Sequence, residues 1–287
     1  MSDGRTRARR VPPRVMEAIA RCILYAACGA AVFVLVFIIW FILKHGLPVI
    51  TWRFLTAPVL EMGREGGIFP SIVGTIFITM LALAVATPLG VGSAIYLTEY
   101  TRPSRITRFI RFGVECLAGV PSIIFGLFGF VFFVVTLRLG WSILSGGLSL
   151  AAMLLPTIIR TSEEAIRAVP LSYREVSYCL GATRWQTVIH TVLPSASPGI
   201  LTGIILSIGR SVGETAVLIF TAGSAVQTPT SLMQSARTMS VHFYLLAREG
   251  ISMEMAYGTA AVLVISILII NVVSYTLMHR FIGKRTR

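Results

Sequence analysis

Six apolar stretches, each long enough to cross a bilayer, constrain this chain more than any other feature. They fall at about 22–43, 70–97, 110–137, 142–160, 196–222 and 257–279. A membrane helix needs about 20 mainly apolar residues to cover roughly 30 Å of hydrocarbon. Composition agrees: 55% of residues are hydrophobic and 13% charged, against about 25% charged in a soluble domain. The first run is too long for the core of a signal peptide, and no small-residue cleavage site follows it. The cysteines Cys22, Cys28, Cys116 and Cys179 form no CxxC pair and read as inert apolar thiols, not as a disulfide or metal site.

The basic residues then order the spans. Of 25 Lys and Arg, eighteen fall in the N-terminal tail, the segment at 102–111, the connection at 160–193 and the C-terminal tail. Six fall in the other connections: Lys44, Arg53, Arg64, Arg138, Arg237 and Arg248. By the positive-inside rule the first set is cytoplasmic, so both termini are inside and the number of spans is even. The net charge of +13 therefore reports membrane topology, not affinity for nucleic acid. The expected fold is all-α and membrane-integral, with six transmembrane helices. Arg210, the one basic residue outside both sets, lies well inside a span.

The long inner connection carries helix punctuation. Ser172 with Glu175, and Thr183 with Gln186, have the spacing of capping boxes. Pro170 discourages helix before it, and Gly181 suits the left-handed position that ends a helix. Thr161 with Glu164 offers an earlier start of the same type. The expectation is a helix–turn–helix presenting Tyr173, Tyr178 and Trp185, amphipathic side chains suited to an interface. The other reading is an amphipathic hairpin lying on the lipid surface.

In the fifth span, Gly199, Gly203, Ser207, Arg210 and Glu214 fall within an arc of about 80° at 100° per residue, with Thr221 on the same arc. A charge at that depth costs at least about 2.5–3.5 kcal/mol on insertion scales. Glu214 stands where an i,i+4 pair with Arg210 can form. Two readings stay open: the stripe lines a pathway, or it is a structural ion pair with close-packing glycines. Glu115, before Gly119–Ser122, reads as a snorkelling or helix-start residue or as a pathway group. His190 and His242 are isolated and make no ligand set. The outer segment 223–256 is too polar to span; a short helix there could touch an external binding protein.

The segment EVSYCLGATRWQTVIHTVLP (175–194) resembles the EAA loop of type I ABC importer permeases. Glu175 and Gly181 have the family spacing, Val176 and Ser177 replace the two alanines, Ile189 comes early, and Leu193-Pro194 closes the motif. LTEY (97–100), AGVPS (118–122), FGLFG (125–129) and GRSVGETA (209–216) extend the resemblance to phosphate importer permeases of the PstA type, with Val217 where that type usually has Pro. The match covers nearly everything from about residue 60, which sets off a basic tail (1–21), a first helix and external loop (22–60), a type-1 transmembrane domain (61–282, coupling loop about 161–194) and a short tail (283–287).

The resemblance implies that the loop is a coupling helix docking on a cytoplasmic ATPase through Tyr173, Glu175, Tyr178, Gly181, Ala182, Thr183 and Trp185. It implies a pathway through Arg210, Glu214 and Ser207 that carries inorganic phosphate, since a guanidinium suits phosphate oxygens and Glu214 would keep the anion from binding too tightly. It also implies a PstC-type permease completing the pathway, a PstB-type ATPase dimer, a PstS-type phosphate-binding protein and surrounding membrane lipid. The chain has no GxxxxGK[ST] run, so ATP and Mg belong to the ATPase and this chain is no enzyme. Alternatives are a PstC-type subunit, a permease for molybdate or sulfate, or a secondary transporter or channel working without an ATPase. A membrane-embedded enzyme has less support, because no Ser/His or metal-ligand constellation clusters on one face.

Overall fold

The computed structural model describes residues 13–102 and 104–283. Most of the basic tail (1–12, with Arg5, Arg7, Arg9 and Arg10) and the end of the chain (284–287, with Lys284, Arg285 and Arg287) lie outside the described residues. The described part is almost wholly helical. The end of the bundle that carries the 160–193 connection is termed inner, the opposite end outer.

The chain begins with α1 (Pro13–Gly46), apolar on every side and exposed along nearly its whole length. A short helix α2 (Trp52–Thr56) and a two-residue hairpin, β1 (Val59–Leu60) paired antiparallel with β2 (Glu65–Gly66), form an outer cap. Then α3 (Phe69–Ile95) runs inward and widens into a π-helical turn at Tyr96–Tyr100. α4 (Arg105–Ala118) and α5 (Ser122–Gly129, continued by the π-helical stretch Phe130–Thr136) meet at an angle of 100°. α6 (Ile143–Arg167) returns inward. The inner hairpin is α7 (Leu171–Cys179) and α8 (Arg184–Thr187). The chain rises through α9 (Leu193–Val212), breaks, and continues as α10 (Ala216–Thr221). An outer helix α11 (Met239–Arg248) precedes the last span, α12 (Met253–Gly283).

Five of these helical segments are long and apolar enough to cross a membrane, and the bent α4–α5 pair makes a sixth. The expected single span at 110–137 is therefore corrected to an elbow. Pro121 cannot donate a backbone hydrogen bond and holds the residue before it out of helix, so helix restarts only at Ser122. α4 is strongly two-faced: Thr107 and Arg111 turn toward the protein, Ile106 and Phe109 away from it. The expected helix start at Thr161 is absent, because α6 runs unbroken to Arg167.

The core is built between α3, α5, α6 and α10 around Ile78, Phe125, Leu150, Leu154, Ile158 and Leu218. A second cluster at the inner end joins Ala94, Ile166, Val192 and Ile200. Large apolar residues elsewhere face outward, as lipid requires of a bundle whose backbone groups are satisfied within its helices.

Candidate functional site

Two places concentrate groups that ordinary membrane packing does not require: the inner hairpin and the break after α9.

The hairpin is locally specified. Pro170 adopts an extended conformation (ψ 142°) and itself occupies the cap position of α7, which puts Ser172 inside the first turn. The expected Ser172–Glu175 capping box is thus not formed. At the other end, the amide of Gly181 donates to Tyr178 O (2.9 Å) and that of Ala182 to Ser177 O (3.1 Å). Together they form a Schellman stop with Gly181 in the left-handed position, φ +82°. The second box does form: Gln186 N donates to Thr183 Oγ1 (3.3 Å) and Thr183 N to Gln186 Oε1 (2.8 Å). A hydrogen bond between Ser177 Oγ and Thr187 Oγ1 (2.9 Å) clamps α7 to α8.

This frame holds an exposed ridge. Tyr173, Tyr178 and Trp185 are all exposed, as are Val176 and Leu180, the last at 83%. Glu175 and Thr183 are exposed beside them, and Ala182 is half-buried. The sequence reading named the aromatics and passed over Leu171, Val176 and Leu180; their apolar character in a polar loop was the signal.

Beneath the ridge, Arg174 turns inward. Its Nη2 donates to Glu99 Oε1 (2.6 Å) and Ile166 O (3.0 Å), its Nε to Glu99 Oε1 (3.1 Å), and its Nη1 to Val169 O (2.8 Å). Nearby, Arg111 of α4 donates to Leu97 O (2.9 Å) and pairs with Glu163 of α6 (2.7 Å), which also holds Arg167 (2.5 Å). A cavity of about 120 Å³ between α4 and α6 is lined by these groups with Glu115, Arg160 and Glu164. Glu115 therefore sits in an ionic setting at the inner end.

The stripe in the fifth span divides. A Cβ on Gly199 would meet Ala165 at 2.6 Å, and one on Gly203 would run into Thr161. Ser207 is fully buried and bonds to Gly203 O (2.9 Å). The two glycines face α6 in close helix packing, while Arg210 is exposed. The expected Arg210–Glu214 pair is corrected: α9 ends at Val212, Gly213 caps it, and Glu214 lies beyond the helical register the pair needs. Among the described residues no carboxylate lies within salt-bridge distance of Arg210. Each charge instead meets a helix end that suits it. Arg210 is in the last turn of α9, where the dipole favours a cation. The Glu214 carboxylate lies 3.5 Å from the Val217 amide at the start of α10.

The break is deep. Ser211 Oγ donates to Thr79 Oγ1 (3.4 Å), and Thr79 is ten residues into α3, about 15 Å from its outer end at 1.5 Å per residue. Ser240 Oγ of α11 donates to Glu214 O (2.6 Å) and ties the broken segment to the outer cap. In that cap Arg237, 3% exposed, donates to Ser224 O (3.0 Å) and to His242 Nδ1 (3.3 Å). Arginine has no acceptor, so His242 carries its proton on Nε2. Burial, then the Arg237 charge, lowers the His242 pKa to about 4. Burial also lowers that of Arg237, with Glu249 opposing. The expectation of an isolated His242 is corrected: Arg237, read in the sequence only as one of the outer basic residues, is its partner.

The chain is 34% identical to the "Probable ABC transporter permease protein YqgI" of Bacillus subtilis over 86% of its own length and 90% of that protein's. It is 32% identical to the "Phosphate transport system permease protein PstA 1" of Mycobacterium tuberculosis, over 96% of its length and 91% of that protein's. Its fold resembles a chain in the crystal structure of a bacterial alginate ABC transporter in complex with an alginate pentasaccharide-bound periplasmic protein. There the TM-score is 0.65 at 16% identity, covering 93% of this chain and 98% of that one. A chain of the MetNI methionine ABC transporter in an inward-facing conformation gives 0.58 at 20% identity, covering 75% and 94%. Residues 86–287 match the family described as the binding-protein-dependent transport system inner membrane component, and the chain belongs to that family.

Proposed function

We propose that this chain is the PstA-type permease subunit of an ATP-driven phosphate importer, forming half of the translocation pathway and coupling it to a separate ATPase. The observation that carries the coupling role is the α7–α8 hairpin: a braced frame that lifts exposed Tyr173, Tyr178, Leu180 and Trp185 off the inner end of the bundle. Such a ridge wants a partner cleft. The arginine distribution supports a cytoplasmic hairpin and cytoplasmic termini. The ATPase would be a PstB-type dimer holding ATP and Mg.

Phosphate as cargo is supported by the relatives named as phosphate permeases and by the chemistry of Arg210. At a helix break deep in the bundle, a fixed cation without a carboxylate partner offers a planar fork to phosphate oxygens. Glu214, close by on the start of α10, tempers the local charge and could accept a hydrogen bond from a protonated phosphate oxygen. A homologous PstC-type permease would close the exposed side of Arg210, and a PstS-type binding protein would deliver the anion at the outer end. Ser207, buried and bonded to Gly203 O, supports the pathway wall from behind.

The test is uptake of labelled phosphate in a strain lacking its own importer, with sulfate and molybdate as competitors. Arg210→Ala should lower uptake about tenfold to a hundredfold, the range for losing a hydrogen bond to a charged group, with normal assembly. Uptake left intact would sink the role given to Arg210. A chain that captures no P-loop ATPase would favour an ATPase-independent transporter.

A further inference from the structure

The hairpin and the deep break are far apart, yet one helix reaches both. At its inner end α3 finishes in the π-helical turn that carries Glu99, whose side chain is 7% exposed. At about 15 Å from its outer end the same helix touches the break through Thr79 and Ser211. A few residues further out, Thr75 Oγ1 accepts from Met239 N of α11 (2.9 Å). α3, continuous from Phe69 to Ile95 through Pro88, thus makes polar contacts with the hairpin at its inner end and with the break and the outer cap further out.

The hairpin's polar grip on that helix is narrow, beside the apolar cluster that joins Val169 and Val192 to Ala94. Arg174 supplies it, spending its donors on Glu99 and on the carbonyls of Ile166 and Val169. One side chain therefore fixes α7 to the ends of both α3 and α6. The neighbouring contact, the Arg184 guanidinium 5.4 Å from the Tyr100 ring centre, is exposed and lacks a fixed register. A charge pair this enclosed cannot slide: leaving Glu99 strands a buried carboxylate, so α7 and the end of α3 move as one body.

We propose that the Arg174–Glu99 pair is the positioning contact through which displacement of the inner hairpin is passed to α3, and so to the Arg210 break. The proposal rests on the reading of the hairpin as an ATPase dock. It separates two properties that docking alone would keep together. The exposed ridge determines whether an ATPase binds and turns over. The Arg174–Glu99 pair determines how much of each turnover reaches the pathway.

The assembled importer, reconstituted in phospholipid vesicles with its binding protein, tests this by the ratio of phosphate moved to ATP hydrolysed. Glu99→Gln keeps the shape and an acceptor but removes the charge. It should lower the ratio about tenfold, within the usual range of coupling between sites, while ATP hydrolysis per complex is retained. Arg174→Lys keeps the charge but cannot hold Glu99 and two carbonyls together, and should give an intermediate ratio. An unchanged ratio in both variants overturns the proposal. So does a reduced yield of complex with a normal ratio in the complex that forms, since that is the signature of a purely structural pair. A wild-type chain that assembles without an ATPase would overturn the functional reading itself, and this proposal with it. An ATPase-bound wild type with no change in the Glu99→Gln ratio would overturn this proposal alone.

Discussion

At the scale of single residues, the outer clasp makes a definite pH prediction. His242 is 1% exposed and its pKa is held at about 4, against 6.5 when free. Folding therefore keeps a neutral imidazole, and below pH 6.5 the unfolded chain binds the extra proton. Stability is fully present above pH 6.5 and is lost as pH falls toward 4, by about 3 kcal/mol in all. Thermal unfolding in detergent should show the midpoint dropping across that window. His242→Gln should flatten the drop, since glutamine keeps an acceptor for Arg237 and does not titrate. Arg210 is the opposite case, an exposed charge whose loss should leave the fold intact and change uptake alone.

At the scale of elements, the hairpin and the broken span show what sequence could and could not reveal. Gly181 and the Thr183–Gln186 box are satisfied within a few residues of themselves, so their spacing is enough to find them. Ser172 misled because Pro170, two residues earlier, had already taken the cap. The Arg210–Glu214 pair misled for a longer-range reason: the register between them is interrupted at Gly213, and α10 packs against α5, where a Cβ on Gly126 would meet Ala216 O at 2.8 Å. Arg174 and Glu99 are 75 residues apart, and nothing local marks them as partners. Helix packing supplies its own test. Gly203→Val should lower stability by about 1–3 kcal/mol, as overpacking does, because Thr161 of α6 occupies the space. Gly29→Val should be neutral, since nothing lies within 4 Å of the added Cβ. The yield of monodisperse protein after detergent extraction would compare them.

At the scale of the whole molecule, the orientation proposed from the arginine count can be checked with a native thiol. Cys179 is exposed at the end of α7. A variant keeping only that cysteine should react with a membrane-impermeant maleimide in inverted vesicles and stay unlabelled in right-side-out ones; the reverse would overturn the orientation. One feature of the molecule stands apart from the bundle. Among the described residues of α1, only Ile39, Ile42, Leu43 and Gly46, all near its outer end, are buried or half-buried, and Tyr257 of α12 packs against Phe41 and His45 there. α1 is 34 residues long, but its apolar run at about 22–43 covers about 33 Å at 1.5 Å per residue, close to the roughly 30 Å of hydrocarbon. Packed on α12 only near its outer end and matched in apolar length to the layer it crosses, α1 leaves most of its surface unclaimed by the bundle. A change in bilayer thickness would therefore bear on α1 first, while the core between α3, α5, α6 and α10 stays as it is.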